Sequence, residues 1–168
     1  MAYTTINKST DYFNTKLYTG NASTQAITGV GFQPDWLWIK NRSTTNAHNI
    51  FDAVRGTNKK LDSANNTAEN TSATNLTSFD SDGFTLASNA GTNGSGNNLV
   101  SWNWKAGGSS STNNDGSTAS VVSANTTSGF SIVTHTGTGS ATTIGHGLGA
   151  SPKVIISKAR NVLNSWFV

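Results

Sequence analysis

The sequence predicts an all-β protein, an antiparallel β-sandwich of the jelly-roll or lectin-like kind. Of its 168 residues, 85 are Asn, Thr, Ser or Gly, and turns are rich in Asn, Ser and Gly. Short stretches of β-branched and aromatic residues stand between them, and these favour strands. No stretch has the apolar spacing of a long amphipathic helix. Many short strands joined by turns are typical of a sandwich.

Seven segments in the first part of the chain have the composition of strands. They are residues 15–18, 26–27, 36–40, 49–54, 78–79, 84–86 and 99–105. The gaps carry turn residues, such as Asp80-Ser-Asp-Gly83. In the third segment, alternation puts Trp36 and Trp38 on one face and Leu37 and Ile39 on the other. Since both faces are bulky, this segment is predicted to be a central strand.

In the last of these segments Trp102 and Trp104 share one face, opposite Ser101 and Asn103. Large aromatic side chains are mostly buried. Trp102 and Trp104 are therefore predicted to belong to the core, whereas the placement of Trp36 is left open.

A series of similar residues occurs twice along the chain. In both copies a segment led by Phe is followed by a glycine pair, a proline, an apolar segment and a Lys-x-Arg triplet. The first copy has Phe13, Gly29-Val-Gly31, Pro34, 36–39 and Lys40-Asn-Arg42; the second has Phe130, Gly145-His-Gly147, Pro152, 154–156 and Lys158-Ala-Arg160, at offsets of 116 to 118 positions. Self-similarity at a nearly fixed period indicates a modular architecture.

We therefore expect a first β-sandwich module with an N-terminal arm over residues 1–105, and the beginning of a second, incomplete copy over 118–168. Residues 106–117 (AGGSSSTNNDGS) have the composition of a flexible linker. The chain ends on the apolar segment 164–168 (NSWFV), which would leave an unpaired strand edge. This ending predicts that the 168 residues are the front of a longer polypeptide.

Charge and composition argue against several kinds of partner. The net charge is +3, and the basic residues stand singly except Lys59-Lys60, whereas nucleic-acid binding needs a clustered basic stripe. No stretch approaches the roughly 20 apolar residues that span a bilayer, and the N-terminus has no signal-peptide pattern. Neither nucleic acid nor membrane insertion is expected, and the absence of cysteine excludes disulfides.

The sequence offers little for catalysis or metal binding, so no enzyme activity and no cofactor are expected. His48, His135 and His146 lie in separate segments, and His146 aligns with Val30 of the first copy. Seven Asp and one Glu are few for the paired carboxylates of a glycosidase.

Asp80 and Asp82 form the weak metal candidate, because Asp-x-Asp-Gly resembles the opening of a calcium loop. Gly91 stands where an EF-hand needs a Glu. A tight turn is the preferred interpretation of these residues.

Tryptophan provides the candidate ligand site. The C–H faces of sugars pack well on indole rings, and Asn, Asp and Thr can bind the hydroxyl groups. The candidate glycan-binding residues are Trp36, Trp38 and Trp166, with core packing as the alternative for the tryptophans.

Five segments resemble, in order, a pattern common in predicted tail-fibre and other structural proteins of marine bacteriophages. They are residues 9–21 (STDYFNTKLYTGN), 27–42 (ITGVGFQPDWLWIKNR), 51–56 (FDAVRG), 76–86 (LTSFDSDGFTL) and 100–107 (VSWNWKAG). The resemblance implies a virion component with a lectin-like β-sandwich, which assembles as a homo-oligomer, by expectation a trimer.

The leading hypothesis is a bacteriophage tail fibre or similar appendage that attaches to host surface glycans or anchors a more distal tip. It would be made in the bacterial host cytoplasm and displayed on the virion surface, in contact with other virion proteins and with a host glycan or receptor. The alternative is a capsid decoration or head-fibre protein with a structural role. A polysaccharide depolymerase is the least favoured hypothesis.

Overall fold

The computed structural model describes residues 6–168, and nearly all of their regular structure is β-strand. The strands are β1 (Phe13–Thr19), β2 (Gln25–Thr28), β3 (Trp36–Asn41), β4 (Asn49–Asp52), β5 (Lys59–Asp62), β6 (Asn70–Thr71), β7 (Leu76–Asp80), β8 (Gly83–Leu86), β9 (Asn98–Trp104), β10 (Ser111–Asn113), β11 (Ser120–Asn125) and β12 (Phe130–His135). A 3-10 turn (Ser9–Asp11) precedes β1, and a short helix α1 (Ala90–Asn93) precedes β9.

The strands form three antiparallel sheets, with the orders β1-β9-β3-β4-β5-β6, β2-β8-β7 and β10-β11-β12. The first two sheets pack face to face over a shared core. Its buried side chains are Leu37, Ile39, Phe51 and Leu99 from the larger sheet, Ile27, Leu76, Phe84 and Leu86 from the smaller one, and Val30 and Phe32 from a loop. Burial of each such side chain contributes about 1.5–3 kcal/mol. The predicted all-β sandwich is confirmed.

Each of the seven predicted strand segments overlaps a strand of the structure, with bounds that differ by up to two residues. Within β3, Leu37 and Ile39 are fully buried while Trp36 and Trp38 are partly exposed. β3 lies between β9 and β4, which confirms it as a central strand. The prediction missed β5 and β6, because Lys59-Lys60 begins one of them and the other has only two residues.

The face of β9 that packs against the core is not the face that was predicted to do so. Leu99, Ser101 and Asn103 are fully buried, whereas Trp102 and Trp104 are only partly so. The Asn103 side-chain amide is accommodated by donating to the Asn14 carbonyl at 2.9 Å and to the Ser101 hydroxyl at 3.1 Å. The prediction that Trp102 and Trp104 are core residues is wrong, because the sheet β2-β8-β7 covers the other side of β9.

Residues 106–117 differ from the flexible linker that their composition predicts. They contain β10, and their first residues are held by Asp35, a side chain only 1% exposed. The Asp35 carboxylate accepts from the backbone N–H groups of Ala106 at 2.7 Å and Gly108 at 3.1 Å. The Gly107 N–H donates to the Ser123 hydroxyl on β11 at 3.0 Å. The sheet β10-β11-β12 is therefore fastened to the sandwich.

The two copies of the sequence repeat share backbone features. Gly29 and Gly31 have positive φ angles of 79° and 90°, and Gly147 and Gly149 have 71° and 70°, at an offset of 118 positions. This conformational match shifts the alignment of the glycine pair by two residues. Val30 then corresponds to Leu148, whereas the sequence repeat had aligned it with His146.

The same offset of 118 positions relates a backbone pairing near the end of the chain to one within the sandwich. Ile39 pairs with Asn49 between β3 and β4, and Ser157 forms an isolated antiparallel bridge with Phe167. Residues 154–156, predicted as a strand, are not one here, and their side chains are 51–70% exposed. The division into modules at 1–105 and 118–168 stays a prediction.

Candidate functional site

The outer face of the six-stranded sheet carries four tryptophans. Trp36 lies directly opposite Trp104, and Trp38 directly opposite Trp102, on the neighbouring strands β3 and β9. Residues directly opposite in an antiparallel pair share a face. Since Leu37 of β3 points into the core, all four indoles lie on the side away from it. We call Trp36, Trp38, Trp102 and Trp104 the tryptophan face.

The indole rings of this face contact one another in an unbroken series. Ring centroids are 4.6 Å apart for Trp36 and Trp104, 5.8 Å for Trp36 and Trp38, and 6.1 Å for Trp38 and Trp102. These are the separations of favourable aromatic pairs, which are tilted or edge-to-face rather than sandwiched. All four side chains stay partly exposed. Mutual packing therefore fixes the rings and leaves part of each to solvent.

One end of the tryptophan face meets other aromatic rings. Phe13 of the edge strand β1 lies 4.7 Å from Trp104. Phe130 of β12 lies 5.9 Å from Trp36 and 6.4 Å from Trp104. The sheet β10-β11-β12 thus packs against this end, and the Trp38 and Trp102 end extends toward a histidine.

His48 lies immediately before β4 and borders Trp38 and Trp102. Its Nδ1 accepts a hydrogen bond from the Trp38 indole N–H at 2.8 Å, and its ring is nearly parallel to Trp102, at 7°. Burial lowers the pKa of His48, the positive charge of Lys40 lowers it further, and Asp62 partly opposes this. The imidazole is therefore neutral at pH 7.

The remaining outward residues around the tryptophan face are mostly apolar or hydroxylated. On β1, Leu17 is 63% exposed, and Thr15 lies opposite Trp102. Lys40 follows Trp38 on β3, and its ammonium donates to the carbonyls of Asn41, Thr44 and Asn46 at 2.6, 3.1 and 2.8 Å. The ammonium is held by the backbone and does not extend over the indoles.

The third predicted ligand residue lies elsewhere. The Trp166 indole N–H donates to the Asp62 carbonyl at 2.9 Å, and no ring contact within residues 6–168 joins Trp166 to the tryptophan face. The structure brings Trp36 and Trp38 together and separates Trp166 from them. It adds Trp102, Trp104 and His48, of which only the Trp-x-Trp spacing of the first two was visible in the sequence.

The candidate metal residues Asp80 and Asp82 make hydrogen bonds within the fold. Asp82 accepts from the backbone N–H groups of Gly31 at 2.7 Å and Gly29 at 2.9 Å, and Asp80 accepts from the Thr85 hydroxyl at 2.7 Å. Across the described residues, no group of three or more His, Cys, Asp or Glu side chains has a metal-binding arrangement. The turn interpretation accounts for these contacts.

A charged cluster lies at the far end of the larger sheet. Arg55, with its side chain 2% exposed, pairs with Asp52 and with Glu69 at 2.9 Å, and Arg160 pairs with Glu69 at 3.0 Å. Burial raises the pKa of Glu69, but hydrogen bonds and charge from Arg160 and Arg55 outweigh it and hold the pKa below its ordinary value. The charged groups of this cluster are therefore paired with one another.

Fold and site together define an all-β sandwich domain with a partly exposed aromatic face. The chain belongs to the family described as a domain of unknown function, DUF7483, whose model matches residues 8–168. No curated protein and no solved structure is similar enough to the chain to count as a match. Within residues 6–168 no helix has the length and apolar character needed to cross a membrane.

Proposed function

We propose that this protein is an adhesive module of a bacteriophage virion appendage, a tail fibre or similar structure, and that its tryptophan face binds glycans of the host surface. The single observation that carries the binding proposal is the contiguous set of four partly exposed indoles on one sheet face. Contiguous exposed apolar surface marks an interaction site more often than isolated exposed residues do.

Indole rings suit carbohydrate for a physical reason. A pyranose has a face of C–H groups that packs on an electron-rich ring, while its hydroxyl groups point sideways to polar partners. Because the rings of the tryptophan face already hold one another in place, a ligand need not order them, and the entropy cost of fixing these side chains on binding is small. The hydroxyl of Thr15 and the imidazole of His48 border the rings and supply hydrogen bonding.

The virion assignment is supported by the resemblance of residues 9–107 to marine phage tail-fibre segments. Homotrimeric assembly and contact with other virion proteins follow from the same resemblance. A surface dominated by hydroxyl and amide groups, with few charges, agrees with this role.

The binding proposal is tested with Trp36→Ala and Trp38→Ala in the full chain, each screened on an array of bacterial surface glycans. We expect at least about a tenfold loss of affinity, roughly 1.4 kcal/mol or more, with circular dichroism unchanged. Trp166→Ala is the matched control, since Trp166 is an indole outside the tryptophan face, and it should bind as the wild type does. Binding by Trp38→Ala equal to the wild type, or no glycan bound by the folded oligomer, would contradict the proposal.

A second candidate is a capsid decoration or head-fibre protein. The exposed apolar side chains of Val154 (70%), Leu163 (72%) and Phe167 (59%) favour it, because such surface suits contact with another protein. Immunogold electron microscopy of the virion separates the two candidates by placing the chain on the tail or on the head.

A depolymerase is the third candidate and has the least support. The one glutamate of the chain, Glu69, is held by Arg55 and Arg160. It is therefore not a candidate for one of the two free carboxylates that a glycosidase needs. Release of reducing ends from host polysaccharide would favour it.

A further inference from the structure

His48 is a polar residue that contacts two indoles of the tryptophan face. It stands beside Trp38 on β3 and Trp102 on β9, with ring centroids 5.7 Å and 6.5 Å away. Neither its position in the sequence nor its neighbours there predicted this placement. The loop between β3 and β4 brings it back alongside the indoles.

The hydrogen bond to Trp38 determines the tautomer of His48. Nδ1 accepts from the indole N–H at 2.8 Å, so Nδ1 carries no proton, and in a neutral imidazole the proton is then on Nε2. Nε2 has no hydrogen-bond partner within residues 6–168. A donor that is free and fixed in direction therefore lies at the border of the tryptophan face.

The charged groups acting on His48 do not favour its protonated form. Lys40 on β3 repels an imidazolium, and its ammonium is fixed by three backbone carbonyls. Asp62 on β5 attracts an imidazolium. Its carboxylate, however, already accepts hydrogen bonds from the Ala64 N–H at 2.9 Å and the Asn65 side-chain amide at 2.8 Å. A proton on Nδ1 of His48 would also point at the indole N–H of Trp38, so that two donors would face each other without an acceptor.

We propose that His48 is the hydrogen-bonding and specificity residue of the tryptophan face: its neutral form holds Trp38 and donates Nε2–H to an oxygen of an uncharged sugar, and protonation of His48 releases the ligand. The proposal rests on the proposed glycan-binding function. It adds the ligand class, a polar contact and a pH dependence.

The uncharged ligand follows from the outward residues of the three strands involved. They are Phe13, Thr15, Leu17 and Thr19 of β1, Val100, Trp102 and Trp104 of β9, and Trp36, Trp38 and Lys40 of β3. Lys40 is the one charged side chain among these, and the backbone holds it. On the neighbouring β4, Asp52 lies opposite Trp36 and is paired with the buried Arg55. A polysaccharide of uronic acids or phosphates would find no free cation on this surface, whereas a neutral hexose polymer needs none.

The tautomer is tested without any ligand. Imidazole nitrogen chemical shifts of the labelled full chain at about pH 7.5 should identify His48 as the Nε2–H form, with the Trp38 indole proton shifted by its hydrogen bond. A His48 proton on Nδ1 would overturn the proposal, whatever the ligand is.

The pH dependence is tested by measuring the affinity of wild type for neutral hexose polysaccharides between about pH 8 and about pH 5. We expect the affinity to fall toward the acid end of this range, with the loss beginning below the ordinary histidine pKa, because burial lowers the pKa of His48. His48→Asn keeps an acceptor near the Nδ1 position and cannot titrate, so it should bind more weakly and with no pH dependence. His135→Asn changes an exposed histidine on β12 and should keep the wild-type profile.

The outcomes separate this proposal from the function on which it rests. Binding by wild type that does not change with pH, or an equal pH slope in His48→Asn, overturns the role of His48 and leaves glycan binding standing. Preference for an acidic polysaccharide, with affinity that falls as salt rises, overturns the uncharged ligand. Absence of binding to every glycan at every pH overturns the proposed function itself.

Discussion

At the scale of single residues, one exposed carboxylate organises the loop that precedes β3. Asp82 accepts the backbone N–H groups of Gly29 and Gly31, whose φ angles of 79° and 90° are open to glycine but strained for other residues. Hydrogen bonds from Gly31 and Gly29 hold the pKa of Asp82 below its usual value, and the charge of Lys16 assists. The Gly-x-Gly of the sequence is thus a carboxylate-binding loop within the fold.

This gives a prediction for Asp82→Ala. A carboxyl group whose pKa is lower in the folded than in the unfolded chain stabilises the fold above its ordinary pKa, and the contribution is lost as the pH falls through the folded value. Asp82→Ala should therefore lower the melting temperature at neutral pH and have little effect at about pH 2. Asp115→Ala, which removes a carboxylate bound to the Asn113 amide, is the control. An equal deficit for Asp82→Ala at both pH values would contradict the assignment.

At the scale of elements, the sheet β10-β11-β12 is joined to the sandwich by a few buried or partly buried contacts. Asp35 holds Ala106 and Gly108, and Asn125 at the end of β11 donates to the Ala106 carbonyl at 3.2 Å. Phe130 packs on the indole of Trp36. Glycine and serine in this segment permit close backbone contact as readily as they permit flexibility, which is why composition alone suggested a linker.

Asp35→Ala should loosen this junction. It leaves the buried Ala106 N–H without a partner, at a cost of about 1–3 kcal/mol, and removes the acceptor of the partly buried Gly108 N–H. Hydrogen exchange should accelerate at residues 106–108 and in β10 to β12, with the core strands β3 and β9 less affected.

Asp80→Ala is the control for this experiment, because it removes a carboxylate from β7 in the other sheet. Its exchange changes should stay near Thr85, its hydrogen-bond partner. Unchanged exchange at 106–108 in Asp35→Ala would show that the contacts of Ser123, Asn125 and Phe130 suffice.

At the scale of the whole molecule, residues 157–168 are fastened to the sandwich through an ion cluster, backbone hydrogen bonds and the Trp166 indole, which donates to the Asp62 carbonyl. Arg160 pairs with Glu69 through its side chain, and the Glu69 N–H donates to the Arg160 carbonyl at 2.7 Å. The Asn164 N–H donates to the Asn66 carbonyl at 3.0 Å. Because Glu69 also pairs with the buried Arg55, the terminal segment and the core share one electrostatic unit.

Glu69→Gln should cost about 3 kcal/mol in free energy of unfolding at neutral pH, since it leaves Arg55 buried and incompletely paired. The folded pKa of Glu69 is lowered, so its stabilising effect exists above the ordinary glutamate pKa and disappears on acidification. Urea denaturation at neutral pH and at about pH 3 checks both statements, and proteolysis at 157–168 should accelerate.

The exposed Lys8 and Asp11 pair, with side chains 71% and 54% exposed, provides the contrast. Asp11→Asn should cost between about 0 and 1 kcal/mol. A cost for Glu69→Gln no larger than this would mean that the cluster does not stabilise the chain.

The sequence by itself determined where seven of the strands lie and which residues share a strand face, because β-propensity, turn residues and two-residue alternation are local properties. It did not reveal β5, β6 and β10. It did not determine which face would be covered, since alternation treats the two faces of β9 alike. Tertiary packing decided that: the sheet β2-β8-β7 covers Leu99 and Asn103 and leaves Trp102 and Trp104 outside. It also decided the meeting of His48 with Trp38, because that contact depends on the path of a loop.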